Sequence, residues 1–225
     1  MRTRRTLTLI NWGVAAALML LFLNWHGAFE GPLTSEEIDT YMARIEARDG
    51  EVEFNDSESS RDIRAFLEAD DGKPFVMVNV LQLRDAPLIV DGESYGETAQ
   101  EASDTYGTFV AQYLFRRGSY PMYSGTAAYD SVTSWGIENA EEWSSAGLMR
   151  YRSRRTMIEM VTDPEFQQYH GYKVAAIEKT FAYPTTVDIH LIDLGWFVGL
   201  LLLSLALAFQ LLIVLKVKPQ VEGEQ

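Results

Sequence analysis

One histidine, one asparagine, two tyrosines and four arginines have a type and setting that point to chemistry. His170 is the single histidine between Glu30 and Asp188, since His26 and His190 border the apolar ends of the chain. A histidine titrates near neutrality and can serve as a base or ligand, but this one has no second histidine in the stretch, so a structural or exposed role is the expectation. Asn79 interrupts the apolar run Phe75 to Leu83. An unpaired amide there would cost about 1 to 3 kcal/mol, so it either bonds neighbouring backbone or points into a ligand pocket. Tyr106 and Tyr123 could add phenols to the same pocket, the competing role being core packing with the hydroxyl at an edge. Arg150, Arg152, Arg154 and Arg155 form a basic island that could hold an anion at a helix start. Salt bridges to Glu159 or Asp163 are the expected alternative.

Other chemistries find no residues to carry them. The chain has no cysteine, which removes disulfides, thiolate nucleophiles and cysteine metal sites. Asp70-Asp71-Gly72 lacks calcium-loop spacing and fits a helix end, and Asn55-Asp56-Ser57 matches a glycosylation acceptor only formally. No glycine-rich phosphate loop, Ser/His/Asp set or His/carboxylate metal spacing occurs, so no cofactor and no metal is expected. Residues 30–188 hold 14 Lys and Arg against 29 Asp and Glu, a balance of −15. Such a surface repels phosphate backbones, and nucleic acid is not an expected partner.

These residues lie between two apolar segments. Leu7 to Leu23 is uncharged, follows the basic Arg2, Arg4 and Arg5, and extends to Trp25 or Phe29, enough to cross about 30 Å of hydrocarbon. A cleaved signal with Val14 to Leu23 as its core competes, but His26 stands where cleavage after Ala28 wants a small residue. A retained anchor over 1–29 is expected. Leu194 to Leu215 is also uncharged, with Ser204 and Gln210 its clearly polar side chains, and predicts a second transmembrane helix within 185–218 and a tail at 219–225. Lys216 and Lys218 follow it, so both termini are expected in the cytoplasm of a bacterial inner membrane and the acidic middle outside. Gly195 with Gly199, and Gly13 with Ala17, are small-residue steps that let helices pair. With no intramembrane charge, the pair reads as anchors.

In the middle, Thr34 with Glu37 makes a capping box before Ile38, Tyr41, Met42 and Ile45 at helical spacing, ending near Asp49-Gly50. Ile63, Phe66 and Leu67 mark a second helix. The two, within 30–72, are expected to preface the main fold, packing outside it or on a partner. Residues 73–184 then read as strand Phe75 to Leu83, helix Thr98 to Arg117, strand Tyr120 to Tyr129, a polar connection Ser131 to Glu142, and strand Trp143 to Tyr151. A helix capped by Ser153 and restarted at Asp163-Pro164 follows, with Phe166, Tyr169, Val174 and Ile177 inward, then strand Lys179 to Tyr183. This is α+β: a β-α-β-β-α-β order with one antiparallel sheet and helices on one face. Both alternating faces of Phe75 to Leu83 are apolar, so two copies packing sheet to sheet are expected.

Lys73 to Arg84 (KPFVMVNVLQLR), Phe115 to Gly125 (FRRGSYPMYSG) and Met149 to Thr180 (MRYRSRRTMIEMVTDPEFQQYHGYKVAAIEKT) resemble an uncharacterised bacterial family of the dimeric α/β-barrel, ferredoxin-like superfamily. The resemblance covers about half of the chain and implies a homodimer with a pocket between sheet and helices. It implies no activity. The resulting expectation is a membrane-anchored extracytoplasmic module that binds a small ligand or protein partner. One alternative is a monooxygenase-like enzyme on an aromatic or quinone-like substrate, where haem would enter. Another is an accessory subunit of a larger membrane complex.

Overall fold

The computed structural model describes residues 2–47, 57–189 and 194–217. The expected helix end at Asp49-Gly50, Asn55 and Asp56 of the acceptor sequence, and His190 and Lys218 lie outside those residues. Two compact units emerge: Glu30–Val187, and the two chain ends, Met1–Phe29 with Asp188–Gln225.

The end unit is a pair of helices, α1 (Arg2–His26) and α7 (Leu194–Lys216). Both are long and apolar enough to cross a membrane. Their few polar side chains are what register them. Asn11 Nδ2 donates to the Ala206 carbonyl at 2.9 Å, and Gln210 Nε2 donates to Thr8 Oγ1 at 3.1 Å. Met19 Cε lies 3.6 Å from where a Cβ on Gly199 would stand. The contacts run antiparallel, since the α1 numbers rise as the α7 numbers fall. The Gly199 half of the expected small-residue contact is present. Gly13 has open space around it and takes no part.

The larger unit begins with α2 (Ser35–Glu46), whose Thr34 cap forms the full reciprocal box with Glu37. α3 (Ser57–Glu68) follows. Ile38, Tyr41, Met42 and Ile45 of α2 and Leu67 of α3 are buried in one cluster with Phe75, Leu114, Tyr151, Ile158 and Phe166. The two helices therefore complete the main core and do not sit outside it.

A four-stranded antiparallel sheet in the order β2-β3-β1-β4 carries the rest. Its strands are β1 (Phe75–Leu83), β2 (Tyr120–Thr126), β3 (Ser145–Tyr151) and β4 (Ile177–Thr185). α4 (Ala99–Arg116) joins β1 to β2, and α5 (Arg154–Val161) and α6 (Pro164–Ala176) join β3 to β4. The caps fall as the side chains dictate: Thr98 accepts from Glu101 N, Ser153 from Thr156 N and Asp163 from Glu165 N.

Several boundaries differ from those expected. β2 ends at Thr126 and β3 starts at Ser145, because the chain between closes on itself through Ala127 N to Ser144 O and Ser131 N to Glu141 O. Ile177 is not inward on α6. It takes an extended conformation that ends the helix and starts β4. β4 runs on through Pro184, which an edge strand tolerates.

Alternation divides the sheet into two faces. Phe75 and Met77 of β1 and Met149 and Tyr151 of β3 lie on the helix side, where the Phe75 and Tyr151 rings stack at 5.1 Å. Register puts Val78 opposite Leu148 and Tyr183, and Val80 opposite Ala146 and Phe181, on the other face.

Candidate functional site

Each arginine of the island has partners in the folded unit. Strand alternation sends Arg150 away from the helices, where its Nη1 donates to Gly118 O at 3.1 Å and its guanidinium sits 5.2 Å from the Tyr120 ring centre. Arg152 Nη2 meets Glu30 Oε1 at 2.5 Å. Arg154, just past the Ser153 cap, stacks its guanidinium 4.4 Å from the Phe66 ring centre, donates to Phe66 O and lies 3.7 Å from Asp70. Arg155 pairs with Glu37 and with Glu30 at 3.8 Å, and donates to Pro32 O at 3.4 Å. The partners are thus Glu30, Glu37 and Asp70, not Glu159 or Asp163. Asp163 is held by Tyr113 Oη at 2.6 Å, with Arg117 3.9 Å away.

The carboxylate shifts follow from these bonds. The Thr34 backbone N–H, and then the Arg155 guanidinium, hold Glu37 down at about 2. The Tyr113 phenol lowers Asp163, and Tyr113 itself is pushed above the ordinary phenol range by burial and by the carboxylate it bonds. What the arrangement does is clamp α2 and the Glu30 to Leu33 segment onto α5. Its positive charge is already answered by acids, which leaves little for an external anion.

The pocket candidates do not converge. Asn79 is half-buried on the helix side of β1 and closes a local bond from Nδ2 to Met77 O at 3.2 Å. Tyr106 and His170 both border Phe166, with ring centres at 6.1 and 6.3 Å, so those two share a neighbourhood between α4 and α6. Beside it Phe109 stacks on Tyr169 at 3.9 Å, flooring an open groove of about 690 Å³ edged by polar side chains such as Glu101, Asp104 and Gln112. Tyr123 is on the opposite face of the sheet, 54 % exposed, its phenol lying over Gly125. Among the described residues no three histidine or acidic side chains gather to hold a metal ion.

One feature escaped the sequence reading. Ser131 to Glu142 is not simply polar, for Trp135 is 94 % exposed and Val132 and Ile137 are also in solvent, as is Tyr129 just before the stretch. The tip is nonetheless shaped, by Ser131 Oγ donating to Ala140 O at 2.5 Å and Trp143 Nε1 to the same carbonyl at 3.2 Å. An apolar second face is what the alternation of β1 predicts, and β4 adds Phe181, 51 % exposed, and Tyr183, 42 % exposed, beside half-buried Val78, Val80 and Leu148. Phe181 and Tyr183 lie two apart in β4, and that spacing was the available signal.

The fold has counterparts among solved structures. Two crystal structures of RPA0582, a protein of unknown function from Rhodopseudomonas palustris, one of them methylated, are similar to this chain. The methylated form is 23% identical with a TM-score of 0.50, covering 61% of this chain and 95% of its own. The other is 22% identical with a TM-score of 0.49, covering 60% and 95%. At that identity the likeness is one of fold alone. No family model matches the chain, and neither does any curated protein.

Proposed function

We propose that the chain is a membrane-anchored, dimerising recognition module: a ferredoxin-like α/β-barrel domain held by two transmembrane helices outside the cytoplasm, where two copies close their open sheet faces on each other and bind a small ligand or protein partner. The observation that carries this reading is the apolar face of Val78, Val80, Leu148, Phe181 and Tyr183, which no helix of the unit covers. Exposed apolar surface of this kind marks an association site. The order β1, α4, β2, β3, α5 with α6, β4 agrees with a split β-α-β arrangement. The basic Arg4, Arg5 and Lys216 at the far ends of the two helices favour cytoplasmic termini.

Size matters to the argument. Four strands of about seven residues present roughly 450 Å² per copy, from strand rise and spacing. A stable interface takes about 800 Å² per partner. The exposed connection bearing Trp135, which leaves the end of β2, supplies further apolar area for the difference.

The test is the oligomeric state of full-length protein in mild detergent, by sedimentation and cross-linking. A dimer that Phe181→Arg converts to monomer supports the reading, and a wild-type monomer at micromolar concentration sinks it. A reporter active only outside the cytoplasm, fused after Gln225, should stay silent.

A further inference from the structure

Arg84 holds a guanidinium nitrogen that is shielded from solvent and that no acid answers among the described residues. Its backbone N–H donates to Ala176 O at 2.9 Å, which extends the sheet one residue past β1. Its side chain is half-buried, with Nε shielded from solvent and without a hydrogen-bond partner. Among the described residues no carboxylate forms an ion pair with it, although the unit carries 28 acids. Arg152 Nε is likewise unpaired, but Glu30 answers the charge of that guanidinium. A shielded N–H with no acceptor is costly, and the planar fork of donors that carries it matches an oxyanion.

The neighbours are donors too. Leu83 belongs to the helix-side cluster with Ala99, Ala102 and Ala176, so alternation puts Gln82 and Arg84 on the open face. Gln82 is opposite Lys179, and the register break that follows falls on β4, leaving β1 regular. Gln82 Oε1 already accepts from Ser144 Oγ at 3.1 Å, which leaves its amide N–H groups as its contribution. Lys179 donates to Asn139 O and lies 4.8 Å from the Trp143 ring centre, with two further ammonium hydrogens to give. One step along the same face stand Val80 and Phe181, which are apolar.

We propose that Arg84, Gln82 and Lys179 form an oxyanion-binding site at the end of the open sheet face, taking a carboxylate or phosphate carried on an apolar body. This deepens the recognition reading above by naming the ligand chemistry, and the anion contact needs only one copy. The ligand is either a free amphiphilic anion or an anionic lipid headgroup, both of which share that chemistry.

The test uses full-length protein in phosphatidylcholine nanodiscs, titrated calorimetrically with 2-naphthoate and with 2-naphthol, which keeps the ring without the carboxylate. A second arm counts phosphatidylglycerol retained per chain by native mass spectrometry after purification from membranes. The naphthoate is expected to bind about tenfold or more tighter than the naphthol, the worth of one charge-assisted hydrogen bond. Arg84→Gln should erase that preference, and Arg84→Lys should keep part of it. If Arg84→Gln fails to fold, the partial loss in Arg84→Lys decides alone. Phosphatidylglycerol retention that depends on Arg84 assigns the site to a headgroup, and naphthoate preference without it assigns a free anion. Equal binding of the two probes with no Arg84-dependent lipid overturns the proposal. So does an Arg84→Gln protein that loses its dimer while binding naphthoate as before, for then Arg84 belongs to the subunit contact. A monomer that keeps the tenfold preference retains the anion site and removes the dimer.

Discussion

The two faces of one sheet are made of much the same residues and have opposite fates. On the helix side Phe75 and Tyr151 stack, and Leu114 and Ile158 behind them are fully buried. On the other side Val78, Val80 and Leu148 are half-buried, while Phe181 and Tyr183 stand in solvent. Composition does not explain the contrast, since both rows are apolar. Cover does: α4, α5 and α6 come from the sheet's own crossovers, and α2 and α3 are added on that side by the arginine clamp. Five helices cover one face, and the other has no helix of the unit over it. Stability should therefore respond to changes on the first face and association to changes on the second.

The largest effect expected is from a cavity on the covered side. Ile158→Ala removes a side chain with 0 % exposure from the main cluster. It should cost about 4 kcal/mol, within the range for buried large-to-small changes, read as a lower midpoint in chemical denaturation of the full chain. A loss under about 1 kcal/mol would mean that the covered side is not the stabilising one.

Next comes the clamp. Arg154→Met leaves Asp70, whose side chain is 1 % exposed, without its guanidinium. Breaking a buried pair costs about 3 to 5 kcal/mol, and the low end is expected because Leu33 N and Gly72 N still bond the carboxylate at 2.8 and 3.2 Å. Asp70→Asn in the same background separates the two contributions: if the clamp acts as a pair, the double variant is less destabilised than the two single losses added together.

The covered side was largely legible in the sequence, and the reason is periodicity. Ile38, Tyr41, Met42 and Ile45 at helical steps, the Thr34 and Ser153 caps and the Asp163-Pro164 restart are local signals, and each element formed where its own residues dictate. What could not be read locally was pairing over distance. Arg155 meets Glu37 and Glu30, more than a hundred positions away, whereas Glu159 and Asp163 were the near choices. Asn79 was legible as an interruption, but whether it faces a pocket depended on a bond to Met77 O two residues back. Arg84 was hidden for the opposite reason, because its distinction is the lack of a partner, and absence of a contact has no sequence pattern. In α1 and α7 Asn11 and Gln210 stand out in the sequence only as polar residues in apolar runs, and their bonds across the two helices depend on the pairing.

Changes on the open side should barely touch the fold. Phe181 is half in solvent, so Phe181→Ala is expected to shift unfolding by less than about 1 kcal/mol. The same substitution, and Trp135→Ser in the exposed connection, should weaken self-association about tenfold or more, as truncation of an aromatic anchor does. Sedimentation over a concentration series measures one quantity and thermal melting the other. If both move together, the faces are not independent and the contrast fails.

The smallest effect, and the sharpest contrast, is in acid. Glu37 has its folded value held at about 2 against 4.5 for a free side chain, so its contribution is complete above about pH 4.5 and is lost as pH falls toward 2. Asp163, lowered by the Tyr113 phenol, acts in the same direction. Because the Glu37 side chain is 37 % exposed, solvent screening keeps its share small. The melting temperature should accordingly drop by a few degrees at most from this group between pH 4.5 and 2, and Glu37→Gln should flatten that part of the curve. Association should run the other way over the upper part of this window. The open face carries no carboxylate among Val78, Val80, Leu148 and Phe181, while two units of −14 each repel less as their carboxylates protonate. Covered and open sides would then answer one proton concentration with opposite signs, and a dimer that dissociates in step with the Glu37 titration would show that the clamp and the open face are coupled.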